Sequence, residues 1–355
     1  MGQNRTGRAV VDKGLNFMLN NVTVVPISNQ TWGNPDGDGN GIGVKFYPNT
    51  SWGAPQSRDT YVTGIVLPAI AASGKPNEVV TVGALAGRTD GSGAGGAWTY
   101  KDVVQNTVDY FAYGQNDSGT YEGGWRYYAN YGDSDQSTTQ WPVIAGAYAS
   151  KMGVSFPAYV KTELAKWTNY IQGADGSAGY TAPNQTGYGN LNETGALLIM
   201  QDFLAWSVGD PEVQAALGYL NQHWKETAGG TWDGNFGHPY AMWAMYKGLE
   251  STIGLDVDNL TGITNLHVDS CDVDNPNHGW NWWEDYCEWL VSNQNGNGSW
   301  SGYSYWGSGL ATPWFINILA ATEIPDVNVP VPGAFLLGSI GLAFACRKLR
   351  RRKEL

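Results

Sequence analysis

Residues 36–41 place oxygen-bearing side chains at alternating positions, in the order Asp-Gly-Asp-Gly-Asn-Gly. Asp36, Asp38 and Asn40 can turn their oxygens toward one hard cation, and the glycines between them permit the sharp bend. The twelfth position of such a loop holds Tyr47 instead of the bidentate glutamate of an EF-hand. The segment therefore predicts either a Ca²⁺ loop without that glutamate or a solvated turn. No cofactor other than Ca²⁺ is indicated by this segment.

A second polar segment, residues 267–278, combines several kinds of metal ligand. The residues that favour a second Ca²⁺ loop are Asp269, Asp272, Asp274 and Asn275. By ligand type, Cys271 with His267 and His278 would instead suit zinc. Cys271 and Cys287 could equally form a disulfide in an exported protein, or both stay as free thiols.

Carboxylate pairs across an aromatic-lined cleft would be suited to glycosidic bonds. The candidates are Glu122, Asp133, Asp233, Glu284 and Asp285. His238, followed by Pro239 and Tyr240, could add a base and a phenol. No spacing singles out a pair, and nothing resembles a Ser/His/Asp set, a P-loop or a dinucleotide fingerprint.

The elements that must position these residues are helical. Residues 100–113 and 143–148 have apolar side chains at spacings of three and four, which predicts two amphipathic helices. A Gly-Gly-Trp loop at 123–125 separates them, and Ser137 and Thr138 supply capping oxygens where the second helix would begin. The unit is one αα-hairpin.

The hairpin recurs along the chain, as in repeat proteins. The other predicted helix pairs are 9–20 with 61–72, 159–171 with 195–208, 211–224 with 240–249, and 282–292 with 312–321. A long Gly, Asn, Asp and Pro loop, residues 29–60, lies inside the first pair. About five irregular repeats over residues 9–323 are therefore expected, because one hairpin cannot bury both of its faces alone.

These repeats resemble the prenyltransferase and squalene-cyclase repeats of the α/α toroid proteins. The resemblance lies in Gly124-Trp125, Asp135, Ser137, Thr138 and Trp141, with echoes at Gly195, Gly230-Trp232, Gly298-Trp300 and Thr312-Pro313-Trp314. It implies an all-α fold, an α/α toroid in which hairpins form a closed ring. The same repeat occurs in enzymes and in proteins without known catalysis.

The resemblance also implies two kinds of catalytic site. Squalene–hopene-type cyclases protonate an alkene with Asp-x-Asp-Asp, and the matching residues are Asp133-Ser134-Asp135-Gln136. Asp135 would be the proton donor, but Gln136 replaces the last aspartate; in ordinary repeats, Asp135 and Thr138 would be helix-start residues. Protein prenyltransferases hold zinc with Asp-x-Cys, matched by Asp269-Ser270-Cys271, and with a later histidine, which has no counterpart after His278.

Composition narrows the choice of function. The chain has 355 residues with 17 Trp, 20 Tyr and 48 Gly. Aromatic side chains at hairpin junctions would fill gaps between helices, and the alternative is that they stack on sugars or line a terpenoid cavity. The net charge of −12 argues against nucleic-acid binding, which depends on cationic contacts to phosphates.

The C-terminal residues differ from the repeats. A Pro-rich linker at 324–332 leads to the apolar segment 333–346 and then to a basic cluster. The cluster consists of Arg347, Lys348, Arg350, Arg351, Arg352 and Lys353. With part of the linker and with snorkelling basic side chains, the segment is adequate for a short transmembrane helix whose basic end stays in the cytoplasm.

This tail resembles the PEP-CTERM sorting signal of bacterial surface proteins. The matching parts are Val329-Pro330-Val331-Pro332, the apolar segment and the basic cluster, with Val331 at the position where glutamate is expected. The resemblance implies export, membrane retention and processing by an exosortase-type enzyme. Residues 1–8 are polar and precede no apolar run, so we expect that the gene starts further upstream or that the protein was truncated.

Two classes of function follow from the sequence. The first is a cell-surface or extracellular-matrix protein with a non-catalytic toroid that binds a glycan or a protein. The second is an exported toroid enzyme that acts on a polysaccharide or a terpenoid. Each enzymatic interpretation lacks a complete catalytic motif, which favours the first class.

Overall fold

The computed structural model describes residues 3–46, 58–185, 187, 189–255, 262–266 and 281–324. Most of this part of the chain is helical. The helices are α1 (Gln3–Asn20), α2 (Asp59–Ala72), α3 (Tyr100–Gly114), α4 (Gln136–Ala149), α5 (Ala158–Ile171), α6 (Asn190–Phe203), α7 (Pro211–His223), α8 (Pro239–Ile253), α9 (Trp282–Ser292) and α10 (Ser308–Leu319). The helical class predicted from the apolar spacing is confirmed.

The N-terminal part departs from a purely helical fold. Strands β1 (Val22–Pro26) and β2 (Ile42–Phe46) pair antiparallel, with Val22 opposite Phe46 and Pro26 opposite Ile42. The 29–60 segment was expected to be a loop throughout, and this hairpin is a correction. Val44 and Phe46 are buried because β2 packs against α3, so the strand gains core contacts that a lone hairpin lacks.

The close approach of β2 to α3 depends on a glycine. A Cβ atom on Gly43 would lie 3.1 Å from Cβ and 3.2 Å from Cα of Tyr110. Those contacts are tighter than ordinary van der Waals packing, so a larger residue would push the strand away from the helix. The connection between the two strands, residues 27–41, is thereby held beside α3.

The chain divides into two compact units, residues 1–169 and 170–355. In the first unit, α2 packs mainly against α4, and it also contacts α3 and β2. The predicted pairing of 9–20 with 61–72 is present only as a small contact between α1 and α2, because α4 is the main partner of α2. Val103, Val104 and Val108 of α3 are fully buried in the core of this unit.

In the second unit, α8 packs against α6 and α10, and α7 and α9 contact α6 and α10 respectively. A Cβ atom on Gly195 would lie 2.5 Å from the backbone nitrogen of Met245, so this glycine lets α6 and α8 meet backbone to backbone. The second helices of successive predicted repeats thus pack against each other within the unit.

The cap of α4 differs from the first sequence expectation. Ser137 and Thr138 were predicted to supply the capping oxygens, but the N-cap is Asp135, the helix-start residue of the alternative interpretation, whose side chain accepts the Thr138 backbone N–H. Both hydroxyl residues lie inside the first turn. A carboxylate two or three residues upstream competes well for the same backbone donors.

No helix in the part of the chain that the structure describes is both long and apolar enough to cross a membrane. The predicted membrane segment 333–346 lies outside the described residues, as do Pro330, Pro332 and the basic cluster.

Candidate metal centre

The loop between β1 and β2 folds around the carboxylate of Asp36. Its Oδ1 accepts the backbone N–H of Gly39 at 2.8 Å and that of Asn40 at 3.2 Å. Its Oδ2 accepts the Gly41 N–H at 2.7 Å. Three backbone donors therefore turn the segment into a compact bend, as the alternating glycines predicted.

Side-chain amides tie the loop to α3. Asn40 Nδ2 donates to Asp38 Oδ2 at 3.0 Å and to Asn106 Oδ1 at 2.9 Å. Asn106, on α3, donates from its own Nδ2 to the same Asp38 oxygen at 3.1 Å. These bonds hold the Asp38 carboxylate at the surface of the helix.

Asp109 of α3 completes the cluster. Its side chain is fully buried, and Oδ1 accepts the Gly37 N–H at 3.1 Å and Gln105 Nε2 at 2.9 Å. Its Oδ2 is buried without a hydrogen-bond partner. One oxygen from each of Asp36, Asp38 and Asp109 lies within 4.8 Å of the others, which is close enough for all three to bind a single ion.

The electrostatics of the cluster reflect crowded carboxylates. Burial raises the pKa of Asp109 to about 7, and the charges of Asp38 and Asp36 act in the same direction. Burial also raises the pKa of Asp38, with a further contribution from Asp36. Like charges held this close disfavour ionisation, and a bound cation would reverse that balance.

A cavity of about 420 Å³ adjoins the cluster. Asp38 and Asn40 form one side of it, and residues of the 90–105 segment form the rest. These further lining residues are Asp90, Gly91, Ser92, Trp98, Lys101, Asp102 and Gln105. Of the three carboxylates in the cluster, Asp38 is the one that borders this cavity.

Asp109 was not among the residues singled out from the sequence. It lies on α3, a helix whose most evident sequence feature is its apolar spacing. Asn106 and Asp109 are polar residues three apart that the structure buries on that helix. Polar residues that interrupt an apolar helix face were the sequence signal that could have identified Asp109. A carboxylate on such a face is buried, and a buried carboxylate requires a partner.

The candidates for alkene protonation both face Arg126. Asp133 Oδ2 lies 3.0 Å from Arg126 Nη1, and Asp135 Oδ2 lies 3.2 Å from Arg126 Nε. Asp135 Oδ1 also accepts the Ser137 hydroxyl and the Thr138 N–H, each at 2.7 Å. Burial raises the pKa of Asp135, whereas Arg126 and these hydrogen bonds oppose the shift. The two carboxylates hold the α4 start and the Arg126 side chain together.

His238 caps α8. Its Nδ1 accepts the Ala241 N–H at 3.3 Å, so Nε2 carries the proton and faces the Thr231 carbonyl oxygen at 3.4 Å. Burial lowers the pKa of His238 to about 4. The ring also packs against Trp306, with centroids 4.7 Å apart. The imidazole is thus neutral at pH 7.

The remaining acidic candidates contact different partners. Glu122 accepts Lys166 Nζ at 2.6 Å, and Asp233 accepts the Gly189 N–H at 3.1 Å. Asp285 is buried and accepts the indole N–H of Trp224 at 2.7 Å. Glu284 lies next to it in the first turn of α9.

The second polar segment lies outside the described residues. This applies to Asp269, Asp272, Asp274, Asn275, Cys271, His267 and His278. Cys287 lies on α9 and has no disulfide partner among the described residues. The second Ca²⁺ loop, the zinc site and the Cys271–Cys287 disulfide therefore remain predictions.

No protein-family model matches the sequence, and no curated protein matches it. Among solved structures, the chain is similar to the apo type II terpene cyclase MstE from Scytonema, with a TM-score of 0.46 and 14% identity over 88% of this chain and 72% of that one. It is also similar to Candida albicans protein geranylgeranyltransferase-I complexed with GGPP, with a TM-score of 0.49 and 11% identity over 94% and 86%. The function is inferred from this chain's own side chains.

Proposed function

We propose that this chain is a non-catalytic binding protein whose N-terminal unit holds Ca²⁺ at the Asp36–Asp38–Asp109 cluster. The observation that carries the proposal is the buried Asp109 Oδ2, which lacks a hydrogen-bond partner beside two loop carboxylates. An unpartnered buried carboxylate oxygen is costly, and a divalent cation supplies the missing interaction.

The ligand chemistry favours Ca²⁺ over other common ions. All three groups in the cluster are carboxylates, whereas zinc sites in proteins are usually built with thiolate or imidazole ligands. Ca²⁺ accepts six to eight oxygens in irregular geometry, and water molecules can complete its shell around the three carboxylates. Mg²⁺ requires near-ideal octahedral geometry and gives up its waters reluctantly, which suits this bent loop less well.

The proposal is tested by thermal unfolding of the purified protein in excess chelator and in millimolar CaCl₂. An ion that binds only the native state stabilises it by about 2.7 kcal/mol at a hundred times its Kd. We expect Tm to rise with Ca²⁺, and Asp109→Asn to remove the rise. Asp12→Asn, which alters a half-exposed carboxylate paired with Lys75 in the same unit, should retain it.

Without Ca²⁺, Asp109→Asn should be at least as stable as the parent, because it removes one of three crowded charges. Loss of the Ca²⁺ response is therefore separable from misfolding. An unchanged Tm of the parent protein between chelator and millimolar Ca²⁺ would disprove the cation site.

The non-catalytic part of the proposal is supported by the contacts of the predicted acids. A group that protonates an alkene must present a free proton to the substrate. Asp135 instead accepts hydrogen bonds from Ser137 and Thr138 beside Arg126, and its neighbour Gln136 accepts the Trp167 indole N–H at 2.9 Å. If the parent protein converted squalene or geranylgeranyl diphosphate and Asp135→Asn abolished that activity, the enzymatic alternative would be favoured.

The proposal includes export and sorting by the PEP-CTERM-like tail. Its support is the order of proline-rich lead-in, apolar segment and basic cluster at the C-terminus. Deletion of residues 333–355 should release the protein to the medium, in a host that has an exosortase-type enzyme and with a signal peptide supplied. Replacing Arg350, Arg351 and Arg352 with neutral residues should weaken membrane retention. A deleted form that stays on the surface as firmly as the parent would exclude this sorting role.

A further inference from the structure

Two tight turns of the C-terminal unit lie side by side. The first spans 229–233 and is closed by the Gly229 N–H, which donates to the Asp233 carbonyl at 3.0 Å. The second spans 303–306, where the backbones of Tyr303 and Trp306 exchange hydrogen bonds of 2.9 and 3.0 Å. The Tyr303 hydroxyl donates to the Gly230 carbonyl oxygen, which joins the two turns.

Each turn presents an aromatic side chain to solvent. Tyr305 is 76% exposed and Trp232 is 38% exposed, and their ring centroids lie 5.4 Å apart. Trp306 lies in contact with Trp232, also at 5.4 Å and nearly perpendicular to it. Trp232, Tyr305 and Trp306 are called the aromatic platform below.

The aromatic platform is anchored from beneath. Trp306 stacks on Tyr240 at 5.5 Å with an angle of 10° between the planes. Tyr240 in turn contacts Trp314, which stacks on Trp243 at 5.5 Å. These last three rings are buried on α8 and α10, so the exposed rings rest on a fixed base. Ser304 has φ of 52°, a left-handed conformation that costs energy and brings Tyr305 to the turn tip.

We propose that the aromatic platform binds a neutral glycan by stacking on its pyranose rings. The face of an aromatic ring is electron-rich and attracts the C–H groups on the flat side of a sugar. Exposed Thr231, Asp233 and Ser304 flank the rings with polar atoms that suit sugar hydroxyls. This inference rests on the proposed binding function and names its ligand class.

The charge and size of the surface favour a neutral glycan over other partners. Asp233 is exposed beside Trp232 and would repel an anionic sugar. An aromatic side chain contributes roughly 150–250 Å² when fully buried, so Tyr305 and Trp232, which are 76% and 38% exposed, supply at most about 300 Å². A stable protein interface needs about 800 Å² from each partner. Rings that are already fixed lose little entropy when a flat ligand binds.

The test is titration of the intact chain with cellohexaose, xylohexaose and mannohexaose, measured by calorimetry and by tryptophan fluorescence. We expect at least one to bind, with a tryptophan emission change. Trp232→Ala and Tyr305→Ala should each weaken binding about fivefold, since one stacking contact contributes on the order of 1 kcal/mol. Tyr305→Phe should bind like the parent, because the ring face remains.

Ile316→Ala is the matched control, because Ile316 is a 50% exposed apolar residue on α10 outside the platform. Equal weakening by Ile316→Ala, or no binding of any of the three hexasaccharides, would overturn the inference. So would concentration-dependent dimerisation that Trp232→Ala removes, since the platform would then be a contact between copies of this chain.

The two proposals fail separately. If Asp109→Asn still bound glycan in the presence of chelator, the glycan-binding role of the platform would hold and would not depend on the cation. A Ca²⁺ response without binding of the hexasaccharides would disprove only the glycan-binding role of the aromatic platform. Cleavage of a bound hexasaccharide would keep the platform and disprove the non-catalytic function.

Discussion

The indole Nε1–H of Trp125 donates a 2.8 Å hydrogen bond to the carbonyl oxygen of Phe111, at the end of the preceding helix. The indole Nε1–H of Trp300 likewise donates to the carbonyl oxygen of Leu290 at 2.7 Å. The backbone N–H of each tryptophan also donates to a threonine in the next helix, Thr139 at 3.0 Å and Thr312 at 3.2 Å. The Gly-Trp loops of two repeats therefore use the same bonds to join their helices.

The first prediction concerns Thr139, whose hydroxyl accepts the buried Trp125 N–H. Thr139→Val keeps the shape and removes the acceptor, leaving a backbone donor unsatisfied. The free energy of unfolding should fall by about 1–3 kcal/mol. Urea unfolding measures it, with Thr162→Val on the exposed face of α5 as the control. Equal stability of the two variants would show that the bond contributes nothing.

The recurrence of helices was predictable because each helix pair repeats the same apolar spacing. The bounds of α9 coincide with the predicted 282–292, and the other repeats shift by a few residues at their ends. The β1–β2 hairpin was not predicted, because the connection between its short apolar strands, residues 27–41, is long and rich in glycine and polar residues. It is stabilised by packing of Val44 and Phe46 on α3, a contact between distant parts of the sequence. Closure of the repeats into a ring stays a prediction.

The second prediction concerns the role of Asp135. Asp135→Ala removes the α4 cap and one of the two carboxylate partners of Arg126, whose other partner is Asp133. The loss should be about 1–3 kcal/mol, because the hydrogen bonds from Ser137 and Thr138 are lost while Arg126 keeps its pair with Asp133. Asp135→Asn should cost less because the amide oxygen still caps the helix.

Asp133→Asn is the comparison for this pair, since Asp133 meets the same arginine but is 31% exposed. A more exposed ion pair contributes about 0–1 kcal/mol. Chemical denaturation of the three variants measures their free energies of unfolding and so gives the order of the losses. A smaller effect of Asp135→Ala than of Asp133→Asn would contradict a structural role for Asp135.

The candidate metal site was predictable in part. Asp36, Asp38 and Asn40 follow a local ligand spacing, so one short segment was enough to indicate a cation. Asp109 lies about 70 positions further along the chain, and no local pattern connects it to the loop. Its place in the cluster depends on β2 packing against α3, where Gly43 permits the approach.

The third prediction is a pH dependence from His238. Burial lowers its pKa from 6.5 to about 4, so folding favours the neutral ring. Stability from this group is present above pH 6.5 and is lost as the pH falls through 4. The change is at most about 1.4 kcal/mol for each pH unit in that window. His238→Asn keeps a capping oxygen and should flatten this part of the stability profile.

Thermal unfolding between pH 7 and pH 4 measures this dependence as a difference between parent and variant. His223→Asn, at the end of α7, is the matched histidine exchange. Parallel profiles for the parent and His238→Asn would mean that the buried imidazole does not contribute to acid unfolding.

The last prediction concerns Glu250, which joins α8 to the end of the described chain. Its Oε2 accepts the Ile324 N–H at 3.0 Å, and Lys247 beside it donates to the Thr322 carbonyl oxygen. Burial raises the pKa of Glu250 to about 8, although Lys247 and the Ile324 bond oppose the shift. The protonated form is therefore favoured in the folded protein.

The contribution of Glu250 to the free energy of unfolding is fully present below its ordinary pKa of 4.5 and is lost as the pH rises through about 8. Glu250→Gln keeps an acceptor for Ile324 and cannot ionise, so its advantage over the parent should grow between pH 5 and pH 9. The growth is limited to roughly 1.4 kcal/mol for each pH unit. Urea unfolding at several pH values measures the difference, with the exposed Glu212→Gln of α7 as the control. If Glu250→Gln tracked Glu212→Gln at every pH, the buried carboxyl would have to ionise as easily in the folded chain as in the unfolded one, and the contact between α8 and residues 322–324 would be insensitive to pH.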